Sequence, residues 1–396
     1  MQFPERFADL PPYAFPRLRA LLDGHEPGGV PCLMSIGEPK HPMPRFVAEV
    51  VAQTIDGLSR YPANDGTPAH LEAATGWIVR RYGVTLSPDR IIALNGTREG
   101  LYNAAMALCP ETKSGARPAV LMPNPFYQVY AVAALSVGAE PVLLPATAET
   151  GHLPDLDAIP AELLDRTAIF YLCSPSNPQG AVAEPDYWAR LLDLAERHDF
   201  RVFADECYSE IYRSTRPPGI LAVAEARGVD PECVLAFHSL SKRSNLPGLR
   251  AGFAAGGQRS IAAMRRLRAY SGAPLSETLQ AVATAAWADE AHVHENRALY
   301  AAKYALADEV LGDVPGYQPP EAGFFLWLPV PDGEAATLKL WRETGVKVLP
   351  GAYLGRDAGA GNPGAGYIRV ALVAPAEETA RGLELIRTCL YDDPKE

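Results

Sequence analysis

Ser239-Leu240-Ser241-Lys242-Arg243-Ser244-Asn245-Leu246-Pro247-Gly248-Leu249-Arg250 follows directly on the apolar run Val234 to Phe237. A lysine just past a buried strand, in a serine-rich turn and near other cations, has a lowered amine pKa and can act as a nucleophile that forms Schiff bases. Arg250 lies eight residues on, beyond a Pro-Gly turn that folds it back toward the same pocket, and offers a second positive group for a phosphate. Val234 to Phe237 is one of seven short apolar runs; the others are Ile91 to Leu94, Ala119 to Met122, Pro141 to Leu144, Ala168 to Leu172, Arg201 to Ala204 and Gly252 to Ala255. Helical stretches such as Pro185 to His198 separate them. Fully apolar strands alternating with helices indicate a mostly parallel sheet covered on both faces, an α/β fold whose ligands bind at the carboxyl ends of the strands.

Outside this region the pattern changes. After about Glu290 come a long helical stretch, an aromatic strand (Phe324 to Leu328), a helix and a final strand (Tyr367 to Leu372), which read as a smaller α+β domain. The N-terminal Leu10-Pro-Pro-Tyr-Ala-Phe-Pro is an irregular arm, followed by a short helix, Arg17 to Leu22, closed by Gly24. The division expected is a large domain over 46–289 and a smaller one built from 1–45 and 290–396.

Composition limits the partners. With 396 residues, 48% of them hydrophobic and 21% charged, the chain has ordinary globular composition and length enough for two or three domains. The 33 Gly and 37 Pro are consistent with many turns between short elements. A net charge of −11 argues against a nucleic-acid or acidic-membrane surface, and the basic run Arg259, Arg265, Arg266 and Arg268 reads as a solvated helix face or a dimer contact. The six cysteines form no CxxC pair, so they read as reduced, mostly buried thiols, and no metal site is expected. His292 and His294 stand two apart on a helix and point to different faces, as surface histidines. No run approaches the ~20 apolar residues of a membrane span and no signal peptide is visible, so a soluble cytoplasmic protein is expected.

Three more polar turns follow strand ends. Asn95-Gly96-Thr97-Arg98-Glu99-Gly100 opens a helix whose free N–H groups suit a phosphate, although a plain N-capped turn has the same form. Cys173-Ser174-Pro175-Ser176-Asn177-Pro178-Gln179-Gly180 is stiffened by two prolines, and either aims the Asn177 amide at a ligand or is simply a turn. Asp205 in Ala204-Asp205-Glu206-Cys207-Tyr208 taken alone reads as a helix cap.

Together the four turns resemble the fold-type I aminotransferases, which use pyridoxal 5′-phosphate, and the resemblance spans nearly the whole chain. It lies in the Ser-x-Ser-Lys with Arg eight residues on, the Asn-Pro-x-Gly turn, and the Asp-x-x-Tyr 28 residues after that Asn. The resemblance implies a mostly parallel seven-stranded sheet between helices and a smaller α+β domain. It implies that Lys242 carries the cofactor as a Schiff base and serves as acid and base, that Asp205 pairs with the pyridine nitrogen, and that Asn177 and Tyr208 bind the phenolic oxygen. Gly96, Thr97, Arg98, Ser239 and Arg250 would hold the phosphate, with Ser241 also at the cofactor. Asn124-Pro125-Phe126-Tyr127 is similar to the loop that lays an aromatic on the pyridine; alignment of the Pro favours Tyr127, with Phe126 the alternative. Arg60-Tyr61-Pro62 resembles the segment whose tyrosine reaches the other subunit's phosphate, which implies a homodimer with shared sites. Gly37, in Ser35-Ile36-Gly37-Glu38-Pro39, would lie near the substrate carboxylate, and Arg369 would fork onto it.

Within this family the lysine segment, the Ile-Gly-Glu-Pro-Lys-His-Pro stretch and the Leu-Pro-Pro-Tyr-Ala-Phe-Pro-Arg-Leu opening are most similar to the N-succinyldiaminopimelate aminotransferases of bacterial lysine biosynthesis, which implies 2-oxoglutarate and glutamate as partners. Ser176 and Gln179 depart from relatives that commonly carry Asn and Thr there. A distal carboxylate needs a further cation, for which Arg98, Arg243 and Arg17 are the candidates. The alternatives are an aspartate or aromatic aminotransferase, a fold-type I lyase using the same lysine and aspartate, and a non-enzymatic regulator with an aminotransferase-like domain. The regulator would bring a DNA-binding segment, and none is visible.

Overall fold

The structure is a computed structural model that describes residues 3–8, 10, 12–359 and 361–392. Pro11, in the expected arm, lies outside the described residues. In chain order the strands are β1 (Cys32–Leu33), β2 (Ile91–Leu94), β3 (Ala119–Asn124), β4 (Glu140–Pro145), β5 (Thr167–Cys173) and β6 (Arg201–Asp205). They continue with β7 (Val234–Ser239), β8 (Gly252–Gly256), β9 (Phe325–Pro329), β10 (Val346–Lys347), β11 (Leu349–Pro350) and β12 (Tyr367–Ala371).

Seven of them form one sheet in the order β2-β8-β7-β6-β5-β3-β4. All neighbours are parallel except at β8, which runs antiparallel to both β2 and β7. Successive residues of a strand point to opposite faces, and both faces are covered. Ile91, Leu121, Phe170, Val202 and Ala236 enter one core, while Ile92, Val120, Ile169, Phe203 and Leu235 enter the other. This double burial is why the strands read as unbroken apolar runs.

A third core gathers around a three-stranded antiparallel sheet, β11-β12-β9, and the helices Ala291–Leu311 and Ala376–Leu390. Both ends of the chain meet there. β1 pairs in parallel with β10, and Cys32 and Met34 are fully buried in the same cluster as Leu340 and Val370.

Some local expectations need correction. The first long helix is Ala14–Leu22 and begins three residues early, because Pro16 falls in its first turn, where the missing N–H is no loss. The basic run on helix Gln258–Arg268 is only partly solvated. Arg265 donates to the Pro88 and Ile91 carbonyls, and the buried Arg268 donates to the Ala93 carbonyl, so both hold the β2 edge. His292 is not a free surface group: its ring contacts Asp289 Oδ2 at 2.5 Å and Ser244 Oγ at 2.8 Å. All six cysteines are unpaired, with Cys32 and Cys173 buried and the other four half-buried.

Candidate active site

The carboxyl ends of β5, β6 and β7 and the turn before β8 open onto a cavity of about 560 Å³. Twelve of the fourteen residues singled out from the sequence line it, Lys242, Asp205, Asn177 and Arg369 among them. Gly96 stands immediately behind the lining. Tyr61 does not reach the cavity of its own chain and is fully exposed.

Lys242 lies in the short helix Leu240–Arg243, where Ser239 caps the turn by accepting from Ser241 N at 3.1 Å. Its Nζ donates to the Gly37 carbonyl and sits 5.2 Å from the Phe324 ring centroid. Burial, together with Arg369 and Arg250, lowers its pKa to about 8 against the opposing pull of Cys207 and Glu38. An amine so placed is available as a nucleophile near neutral pH.

Asp205 ends β6 and is buried. Burial pushes its pKa up, while Cys207, the Tyr130 hydroxyl and Lys242 pull it back. Tyr130 OH donates to Oδ2 at 2.8 Å, and Tyr130 is itself stacked on Tyr171 with ring centroids 4.5 Å apart. The carboxylate is therefore held rigidly at the cavity floor.

An anion cradle is built from three segments. Gly96 precedes the helix Thr97–Leu108, whose first turn has no side-chain cap. A Cβ at residue 96 would stand 2.5 Å from Arg250 Nη2, so only glycine lets the guanidinium approach this N-terminus. Arg250 reaches it from a left-handed conformation (φ 56°) after the Pro247–Leu249 turn, anchored by Nη1 on the Pro247 carbonyl at 2.9 Å. Hydroxyls of Ser239 and Ser241, 3.0 Å apart, adjoin it.

On the opposite wall Arg369, projecting from β12, is buried, donates to Asn177 Oδ1 at 2.9 Å and to the Ser35 carbonyl at 2.8 Å, and lies 4.1 Å from the Phe325 ring centroid. Its Nε has no partner among the described residues, and burial lowers its pKa to about 10. A buried guanidinium with a donor to spare and no carboxylate beside it among the described residues is suited to a carboxylate ligand. Because Asn177 gives its oxygen to Arg369, its Nδ2 is left as a donor.

Both aromatics of the Asn124–Tyr127 loop line the cavity. Tyr127 OH accepts from Arg98 Nε at 2.7 Å, whereas Phe126 is buried near Arg356. Of the candidates for a distal carboxylate, Arg98 lines the cavity, but Arg243 does not. It is buried against Trp77 and Trp287 and committed to the Ala286 and Asp289 carbonyls and to Glu290. Arg17 is also outside, paired with Glu334 at 3.4 Å. Residues not singled out from the sequence also shape the site. Tyr130 acts from behind the lining through Asp205 and is three places after Tyr127 in helical spacing, its only signal in the sequence; Glu38 adjoins Gly37, and Tyr13 and Phe15 bring the arm to the rim.

A carboxylate at the floor, a lysine of depressed pKa, a Cβ-free anion cradle and an orphaned buried arginine fit a phosphorylated pyridine aldehyde and an amino acid together. A doubly covered sheet carrying this site defines a fold-type I pyridoxal-phosphate-dependent transferase. Residues 32–386 match the family model for aminotransferase class I and II, and the chain belongs to that family. It is 35% identical over 397 residues to the LL-diaminopimelate aminotransferase of Desulforudis audaxviator, covering 98% of this chain and 97% of that one. An aminotransferase from Neisseria meningitidis superposes with a TM-score of 0.92 at 38% identity, over 97% of this chain and 99% of that one. A probable N-succinyldiaminopimelate aminotransferase from Thermus thermophilus gives 0.83 at 28% identity, over 95% and 100%. The protein is a pyridoxal-phosphate-dependent aminotransferase. No helix among the described residues is long and apolar enough to cross a membrane.

Proposed function

We propose that this aminotransferase acts on N-succinyl-LL-2,6-diaminopimelate, with 2-oxoglutarate and glutamate as the exchanging pair. The charge of the cavity lining carries this reading. With Lys242 and Arg250 assigned to the cofactor, Arg369 serves the α-carboxylate and Arg98 remains for a further carboxylate. The succinylated substrate has three carboxylates and one ammonium, which suits a lining richer in arginine than in free acid. Glu38 and the activity of the D. audaxviator relative favour a second reading, unacylated LL-diaminopimelate, whose distal ammonium would meet that carboxylate. Paired assays with both donors and 2-oxoglutarate separate them. Preference for the free diamino acid overturns the first reading, and preference for aspartate or phenylalanine, or release of pyruvate or CO2 without an acceptor, overturns both.

In the reaction, bound pyridoxal phosphate supplies the electron sink that acidifies the substrate's α C–H. Asp205 keeps the pyridine nitrogen protonated. Asn177 and Tyr208 would donate to its phenolic oxygen, and Tyr127 would pack against its ring. Gly96, Thr97, Ser239, Ser241 and Arg250 would hold the phosphate. Arg369 and Gly37 would orient the α-carboxylate, and the Lys242 amine would take the proton from Cα. These functions are divided between a cofactor domain, 46–289, and a smaller domain from 1–45 and 290–396. Full exposure of Tyr61 supports a homodimer in which it serves the partner's site. Six unpaired thiols support a cytoplasmic location.

A further inference from the structure

Behind the lysine turn, outside the cavity lining, is a polar cluster that the mechanism above does not use. Asn296, buried on the helix Ala291–Leu311, donates through Nδ2 to the carbonyls of Lys242 at 3.3 Å and Arg243 at 3.4 Å. Its Oδ1 faces Asn245 Nδ2 at 3.0 Å and His41 Nδ1 at 2.8 Å. Two turns further along the same helix, Lys303 is buried with its Nζ 2.7 Å from His41 Nε2 and 3.0 Å from the Leu372 carbonyl, without a carboxylate partner among the described residues.

The protons of this chain follow from its donors and acceptors. Two carbonyls can only accept, so they fix the Asn296 amide with its nitrogen toward the lysine turn. Its oxygen then accepts twice, and His41 must carry its proton on Nδ1. Nε2 is therefore bare and accepts from Lys303. Asn296 uses its full hydrogen-bonding capacity to join two segments that both enter the active site.

Those segments are the lysine turn and the loop Ser35 to Pro42. The loop is tied at one end by the Ser35 carbonyl on Arg369 and touches Lys242 through the Gly37 carbonyl. At its other end stand His41 and the Pro42 carbonyl, which accepts from Asn245 Nδ2 at 3.4 Å. We infer that Asn296, with His41 and Lys303 behind it, is a positioning device that fixes this loop over the lysine turn and so sets how tightly the site holds a substrate carboxylate. None of the three touches the cavity, so they act through Gly37 and the Lys242 backbone.

The device has a pH dependence of known sign. The titratable groups facing His41 are Lys303 and Tyr300 of the helix, the latter with its ring centroid 4.6 Å away, while Lys40 of its own loop acts on Lys303. Burial lowers the His41 pKa, Lys303 lowers it further, and the Asn296 bond opposes them. His41 is therefore neutral at pH 7. As pH falls through its lowered pKa, a second ring proton appears opposite the Lys303 ammonium and the bridge opens.

The inference rests on assigning Lys242 to the cofactor and Arg369 to the substrate carboxylate, and its test is separable from that placement. On the holoenzyme, KM and kcat are measured from pH 8 to 5.5 for any amino donor the wild type uses, and succinate binding is followed by the visible absorbance of the bound cofactor. His41→Ala is expected to raise KM and the succinate Kd about tenfold at pH 8 with kcat changed less than twofold. His41→Asn retains a donor at the δ position and has nothing to protonate. It should keep both constants within twofold at pH 8 and show a smaller acid-side weakening of succinate binding than the wild type, leaving only the part that succinate's own protonation causes in both. If His41→Ala does not fold, His41→Asn still decides the matter. Unchanged KM and Kd in His41→Ala with only a lower Tm, or an acid-side weakening as large in His41→Asn as in the wild type, overturns the inference. Failure of the site placement has another signature, a Lys242→Ala protein that keeps the wild-type cofactor band.

Discussion

Gly96→Ala tests the anion cradle most directly. The backbone at 96 has φ 79° and ψ 160°, a region essentially restricted to glycine, where a side chain costs about 1–3 kcal/mol. The added Cβ would also stand 2.5 Å from Arg250 Nη2 and 3.0 Å from Cζ, both too close. Arg250 is the softer partner and swings away. Losing a hydrogen bond to a charged group costs about 1.5–3 kcal/mol, which corresponds to roughly ten- to hundredfold weaker cofactor binding. Pyridoxal phosphate titrated into apoprotein, followed by tryptophan fluorescence, measures this, while apoprotein Tm reports the backbone cost separately. Arg250→Met should weaken binding to a similar extent, and the double variant should fall well short of the sum, because both changes remove one contact. Full additivity, or wild-type affinity in Gly96→Ala, refutes the argument.

Lys242→Ala should abolish turnover and the visible band of the bound cofactor, read by absorbance and a coupled assay, with circular dichroism unchanged. Tyr130→Phe leaves Asp205 Oδ2 buried without its donor, a loss of about 1–3 kcal/mol; a five- to hundredfold drop in kcat with an intact fold is expected from steady-state kinetics. The amine of Lys242, with its pKa lowered to about 8, is protonated and unreactive below that value and free above it. The rate at which apoprotein captures pyridoxal phosphate, measured by stopped flow, should therefore rise with pH and level off above about 8.

Much of this architecture is legible in the sequence, and particular residues show why. The run Ile91 to Leu94 coincides with a strand because burial on both faces leaves no polar residue to blur its limits, and most other runs extend by only a residue or two, into Asn124, Asp205 or Ser239. These polar termini carry the chemistry, so order along the chain maps onto proximity in the cavity. Long-range partners leave no such trace. Arg243 stands beside Lys242 in sequence, yet a short helix turns it to the opposite side, against two tryptophans. Tyr130 reads as an ordinary core aromatic until β6 brings Asp205 under its hydroxyl. Arg268 reads as a surface charge until the β2 edge beside it supplies an Ala93 carbonyl that needs a donor.

The three segments of the anion cradle adjoin β2, β8 and β7, three neighbours at one margin of the sheet. β2 is the outermost and pairs only with β8. A phosphate bridging the helix after β2, the arginine before β8 and the serines at the end of β7 acts as a clasp on that margin. Its contribution to the folded state grows with the logarithm of free ligand over its dissociation constant. Local opening around residues 91–108, seen as amide exchange or protease cutting, would then track the supply of vitamin B6 in the surroundings, making this border of the sheet a gauge of the protein's own saturation.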